Sequence, residues 1–291
     1  MSPADIANGN EKKGTRMRRF TTREGIPIAY EDDYFGPPWL AAEAETVVLL
    51  HGTSESSQVW YAWVPPLTAR YRVLRPDLPG FGQSRIGADV PYDWSAQRIA
   101  GDLLQWLDHL GVASAHFVGA KYGGSISTTI ALQAPQRVRS LTAITGPMGI
   151  DKKPAEVEVG KFASRIESSH ADWVNETMVA RLGTASSPAL REWLTTLMTP
   201  SDARAASGCA TGTVNLQLFK HLDDIAAPTL IVTTDRNRMV PRQTYADWAN
   251  AIPGAKLVVL PGDGYHPAVS DPQPCVEAVM AHIDGATRRT T

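Results

Sequence analysis

The sequence predicts an α/β protein in which a mostly parallel β-sheet is covered by helices on both faces. Three observations predict it. Short unbroken apolar runs, such as Thr46–Leu50, have the composition of strands buried on both sides. Stretches of helical period alternate with them. The connections are short, and short strand–helix–strand units build parallel neighbours. With 291 residues, 43% of them hydrophobic, the chain can bury one sizeable core, and a disordered chain is excluded.

The elements follow in order. Residues 1–15 are polar and read as a flexible N-terminal tail. Arg18–Thr22 and Ile26–Glu31 alternate around Glu24-Gly25, a hairpin pattern. Thr46–Leu50 is a strand that runs into His51-Gly52-Thr53. Arg72–Leu74 is a strand ending in Arg75-Pro-Asp-Leu-Pro-Gly-Phe-Gly82. Over Ser95–Leu110, Ile99, Leu103, Leu107 and Leu110 share a helical face, and Gly111 supplies a left-handed cap. His116–Val118 is a strand entering Gly119-Ala-Lys-Tyr-Gly-Gly124, and Ser125–Gln133 is a helix stopped before Pro135. Leu141–Thr145 is the next strand. From 147 to about 205 strand signals vanish and charged helical stretches around Trp173 and Trp193 replace them. The alternation resumes with Thr229–Thr233, Gln243–Ala251, Lys256–Leu260 and Pro274–Ile283. The expected division is a core of 16–146 and 206–291 with a helical cap of 147–205.

Charge narrows the function. Lys and Arg number 28 against 30 Asp and Glu, so no basic footprint marks a nucleic acid or an anionic membrane as partner. No stretch approaches the roughly 18 apolar residues of a membrane span. The N-terminus has no apolar signal-peptide region, and the two cysteines, Cys209 and Cys275, form no CxxC pattern. A cytoplasmic monomer or homodimer acting on a small molecule is expected, with no metal and no cofactor.

These motifs together resemble the α/β-hydrolase fold. His51-Gly52 after a buried strand matches the oxyanion loop, and Asp77-Leu-Pro-Gly-Phe-Gly-Gln-Ser84 the loop after the next strand. Gly119-Ala-Lys-Tyr-Gly123 sits at the nucleophile elbow, Val240-Pro241 in the acid loop, and Gly264-Tyr265-His266 in the histidine loop. The resemblance implies an eight-stranded sheet with a helical cap, and a hydrolase. It fails at two chemical positions. Lys121 stands where the elbow normally carries Ser, Asp or Cys, and Asn237 where the acid normally lies, four residues before the proline. Asp235 is an alternative acid if the loop is shifted; Asp263 and Asp271 are near His266 in sequence without a motif behind them.

The elbow lifts one side chain over a helix N-terminus. Burial and the positive end of that helix both disfavour an ammonium, so Lys121 is expected to titrate low and to supply free amine. Attack of that amine on an ester leaves an amide, which stalls turnover. With a ketone or aldehyde it forms a reversible Schiff base. Lys121 could instead hold an anion while His266 moves a proton, or His266 could activate water directly. Asn237 is the expected orienter of His266. The backbone N–H groups of Thr53 and Tyr122 are the expected oxyanion hole. Ser54, Trp173 and Trp193 are expected to wall the substrate pocket. Three readings stay open: hydrolysis of a small carbonyl, ester or lactone compound; lyase or decarboxylase chemistry through Lys121; and a non-catalytic ligand-binding protein with the same pocket.

Overall fold

A computed structural model describes residues 17–149 and 156–288. The proposed tail at 1–15 lies outside the described residues, as does part of the proposed cap, 150–155. Eight strands form one sheet: β1 (Arg18–Thr21), β2 (Pro27–Asp33), β3 (Thr46–Leu50), β4 (Arg72–Pro76), β5 (Ala115–Ala120), β6 (Val138–Ile144), β7 (Thr229–Thr234) and β8 (Lys256–Leu260). Their spatial order is β1-β2-β4-β3-β5-β6-β7-β8. The β1–β2 and β2–β4 pairs are antiparallel, and every later pair is parallel. The sheet centre lies between β3 and β5, whose side chains are all buried; that explains the apolar run of β3.

The helices of the core are α1 (Val64–Thr68), α2 (Ala96–His109), α3 (Tyr122–Gln133), α8 (Arg242–Ala251), α9 (Pro267–Ser270) and α10 (Pro272–Thr287). Ser95 caps α2 by accepting the Arg98 N–H, and Gly111 adopts the left-handed conformation after it. The sequence places the start of α3 at Ser125; it begins three residues earlier. The reason is the elbow itself. Lys121 has φ 56° and ψ −123°, and Tyr122 is already helical.

Between β6 and β7 lie four helices: α4 (Glu156–Ser168), α5 (His170–Leu182), α6 (Pro188–Met198) and α7 (Ala203–Val214). The helical insertion thus runs past 205, because α7 extends to Val214. These helices are joined to the rest of the chain at a few polar points. The N–H groups of Tyr265 and His266 donate to the Ala180 and Arg181 carbonyls at 3.0 and 2.8 Å. The Ser54 hydroxyl meets His170 Nε2 at 2.9 Å, and the Ser201 hydroxyl donates to the Ser54 carbonyl.

Candidate active site

The elbow is built by close backbone contact. A Cβ on Gly123 would sit 2.1 Å from the Leu50 carbonyl oxygen, so only glycine lets α3 press against the end of β3. Lys121 follows β5, and its N–H donates to the Ile144 carbonyl. Its strained φ turns the side chain across the β3 loop, where a Cβ on Gly52 would come within 2.9 Å of Lys121 Cε.

What Lys121 meets there is Glu55, a residue that the sequence motifs do not single out. Glu55 Oε1 and Lys121 Nζ form a short ion pair with neither side chain more than 9% exposed. Glu55 Oε2 accepts the Gly52 N–H at 2.9 Å, which ties the carboxylate to its own loop. His266 Nε2 lies 3.2 Å from the same Oε1. One buried carboxylate therefore stands between the elbow lysine and the histidine. Its only sequence signal is position: it is four residues after His51, in the loop that must face the elbow.

Electrostatics follow from burial. Desolvation, reinforced by the Arg181 charge, pushes Lys121 down to about 8 against the opposing pull of Glu55. Burial works to raise Glu55, but His266 and Lys121 hold it well below the usual carboxylate range. Burial lowers His266, outweighing the attraction of Glu55. At neutral pH the cluster is an ammonium–carboxylate pair beside a neutral imidazole.

Asn237 is not brought to His266. Its Oδ1 accepts the Met239 and Val240 N–H groups at 2.9 and 3.1 Å, and its Nδ2 donates to Thr233. It is an Asx turn that shapes the loop. His266 Nδ1 is buried without a hydrogen-bond partner. Asp235 does not take the role either, because its Oδ1 accepts the Gly262 N–H. Asp263 is bound to Thr184 and Arg238. Replacement of Asn237 by alanine should therefore leave chemistry at Lys121 intact and cost about 1 kcal/mol of stability through the lost turn. Thermal unfolding and product assays on that variant check both halves.

Thr53 lies in the loop that packs on Lys121, and the Tyr122 N–H opens α3 without an intrahelical acceptor. The Tyr122 side chain is committed elsewhere, its hydroxyl donating to the Trp94 carbonyl. His51 accepts the Leu78 N–H on Nε2, so its Nδ1–H donates to the Gly52 carbonyl at 2.7 Å and fixes the loop. Of the expected pocket residues, Ser54 is bound to His170 of α5. Trp173 lies inward, with the Arg181 guanidinium 4.8 Å from its ring centroid. Trp193 lies further out. It stacks edge-on against Tyr61 and lines a separate cleft of about 520 Å³ with Ser56, Gln58 and Ser201. Among the described residues no cluster of three or more His, Cys, Asp or Glu is grouped to hold a metal ion, and no helix is long and apolar enough to cross a membrane.

The sheet order, the elbow and the histidine loop all point one way, and a family's sequence profile agrees: residues 45–272 match the alpha/beta hydrolase fold. The chain belongs to the α/β-hydrolase fold family. This is an enzyme superfamily, and the relatives carry enzyme names. A pimeloyl-[acyl-carrier protein] methyl ester esterase of Aeromonas hydrophila is 29% identical over 254 residues, 82% of this chain and 95% of that protein. A hydrolase from Pseudomonas aeruginosa PA01 superposes with a TM-score of 0.82 at 24% identity, covering 93% of this chain and 99% of its own. The enol-lactonase of Burkholderia xenovorans LB400 superposes with a TM-score of 0.81 at 18% identity, covering 92% of this chain and all of its own, a likeness of fold. Within the α/β-hydrolase family the elbow motif normally centres on serine, so the Lys121–Glu55 pair is a departure from that motif on a retained scaffold.

Proposed function

We propose that this α/β-hydrolase-fold enzyme processes a small ketone or aldehyde through an iminium on Lys121, using it to break or form the adjacent C–C bond. The observation that carries the reading is the placement of Lys121. It is a buried amine at the one position the fold reserves for its nucleophile, in contact with a single carboxylate. The step balances as follows. Lys121 first loses its proton to solvent, because Glu55, held well below the usual carboxylate range, is too weak a base to keep it. The amine then adds to the carbonyl carbon, the C–N bond forms, and the C=O π pair moves to oxygen. Protonation of that oxygen sends it out as water and leaves a cationic iminium beside the Glu55 carboxylate. The iminium draws in the electron pair of the bond between its α and β carbons, which leaves a neutral enamine and releases the β fragment as CO2 or, with loss of its hydroxyl proton, as a carbonyl compound. Protonation of the enamine carbon restores an iminium, and water hydrolyses it to the product carbonyl and the free amine. The Thr53 and Tyr122 backbone N–H groups would support the carbinolamine oxygen.

Two features weigh against an acyl-enzyme. An acylated lysine is an amide, stable under the conditions that hydrolyse a serine ester. In addition, His266 Nε2, the nitrogen a serine would need as base, lies 3.2 Å from the Glu55 carboxylate, and neither ring nitrogen has a hydrogen-bond partner to set its tautomer. A Lys121→Ser variant is therefore expected to lack strong esterase activity on p-nitrophenyl acetate, since His266 has no acid on Nδ1. A large burst of nitrophenol from that variant would contradict this account of His266.

The deciding experiment is borohydride trapping of the wild-type protein with a panel of ketones, aldehydes and oxo acids at pH 8, read by peptide mass spectrometry. Reduction should fix an adduct on Lys121, absent from Lys121→Met. No adduct from any member of the panel overturns the reading. The relatives' names favour a second reading, hydrolysis of an ester or lactone without a covalent intermediate. Consumption of esters with no adduct on Lys121 would select it.

A further inference from the structure

Arg181 is the most unusual charge outside the elbow. It lies near the C-terminus of α5 and is 1% exposed. Its Nε donates to Thr177 at 3.0 Å, an i, i+4 bond within its own helix. Its terminal amino groups have no hydrogen bond, and no carboxylate among the described residues pairs with it. A guanidinium has five N–H donors, so most of this one's capacity is unused. The group is held between rings, 4.8 Å from the centroid of Trp173 and 5.6 Å from that of Tyr265. The Tyr265 ring is also 5.7 Å from Lys121 Nζ. Arg181 thus looks into the elbow site, where its charge acts on Lys121, His266 and Tyr265.

Arg181 is the cation at this centre that has no carboxylate of its own among the described residues. Lys121 and Arg181 bring two positive groups and Glu55 one negative. Asp77, the other buried carboxylate nearby, spends its oxygens on the Ser57 and Gln83 N–H groups at 2.7 Å each. Burial holds His51, His170 and His266 toward their neutral forms. A buried cation without a counter-charge is expensive, and an arriving anion removes that expense. One unpaired guanidinium suits a carboxylate better than a phosphate dianion, and its planar fork suits a carboxylate bidentately. The fork is also fixed in place, since the Arg181 carbonyl accepts the His266 N–H.

We propose that the substrate is an oxo acid, its carboxylate held by the Arg181 guanidinium while its carbonyl lies at Lys121. The carbonyl end rests on the iminium reading above; the carboxylate end does not.

The experiment uses the full chain and matched probes. Pyruvate and levulinate are compared with their methyl esters in borohydride trapping. Butyrate and succinate, which have no carbonyl to trap, are titrated calorimetrically. The acids should trap at least tenfold faster than their esters in the wild type. Arg181→Gln should erase that difference, and Arg181→Lys should restore part of it, with melting curves confirming that both variants fold. Butyrate or succinate should bind and slow the trapping of pyruvate. Adducts that form equally fast from acids and esters overturn the Arg181 assignment and leave the iminium reading standing. Carboxylate binding that depends on Arg181, with no adduct from any carbonyl, does the reverse. Neither binding nor trapping overturns both.

Discussion

Replacing Glu55 by alanine should destabilise the folded chain by about 3–5 kcal/mol, read as a fall in the urea midpoint at pH 7. The side chain is wholly buried and satisfies two partners, the Lys121 ammonium and the Gly52 N–H, with the His266 ring 3.2 Å away. Removing it strands an ammonium among Arg181, His51 and His266, with no solvent to replace the lost charge. Truncation of Lys121 to methionine strands the carboxylate in the same way, although Gly52 continues to hold it. The double variant Glu55→Leu/Lys121→Met should be less destabilised than the sum of its parts, because it removes both charges together. Additive single effects would show that the pair is not coupled. Both single variants should also lose borohydride trapping, Lys121→Met completely. Glu55→Gln should keep an acceptor for the Gly52 N–H and so recover part of the stability without the charge.

The site was half legible in the sequence, and the division has physical causes. Lys121 and His266 could be placed because backbone shape demands motifs around them: glycines where strand and helix touch, and a turn that presents the ring. Such constraints act on neighbours in sequence, so they leave a local pattern. The same holds for the strands of the parallel sheet, since β3 and β7 are short runs rich in apolar residues with helices between them. Glu55 leaves no pattern, because its partners come from β5 and the histidine loop, 66 and 211 residues further along the chain. Arg181 is harder still. A helical arginine is ordinarily a solvated surface charge, and only the packing of α5 against the histidine loop buries it. The expected role of Asn237 rested on register with the family. It failed because an asparagine in a tight loop has a nearer use, the N–H groups two and three residues on. Trp193 shows the limit of composition: an aromatic in the cap marks an apolar wall, but not which cleft it lines.

Adduct formation should climb steeply with pH and level off above about 8.5. Only the free amine adds to a carbonyl, and Lys121 titrates near 8. Between pH 6 and pH 8 its free fraction rises from about 1% to about one half, so the trapping rate should rise about fiftyfold. A lysine with the ordinary value of 10.5 would still be climbing at pH 10, which gives the opposite profile and would overturn the assignment. Stability must respond through linkage. The folded value is depressed, so between about 8 and 10.5 the unfolded chain keeps a proton that the folded chain has released. The unfolded state then binds more protons, and the unfolding free energy rises with pH across that window, by about 3 kcal/mol in all from this one group. Below pH 8 both states carry the proton, and the cost of burying the ammonium is fully felt. Glu55 acts at the other end. Its depressed value means that its stabilisation is present above its ordinary 4.5 and is lost as pH falls through the lower folded value. Burial raises Tyr265 above its ordinary value. Other tyrosines and lysines cancel when the wild type is compared with Lys121→Met by denaturation from pH 7 to 10. The rise should appear in the difference between the two proteins. A flat difference would mean that Lys121 keeps its ordinary affinity for protons and that the elbow does not prepare an amine for chemistry.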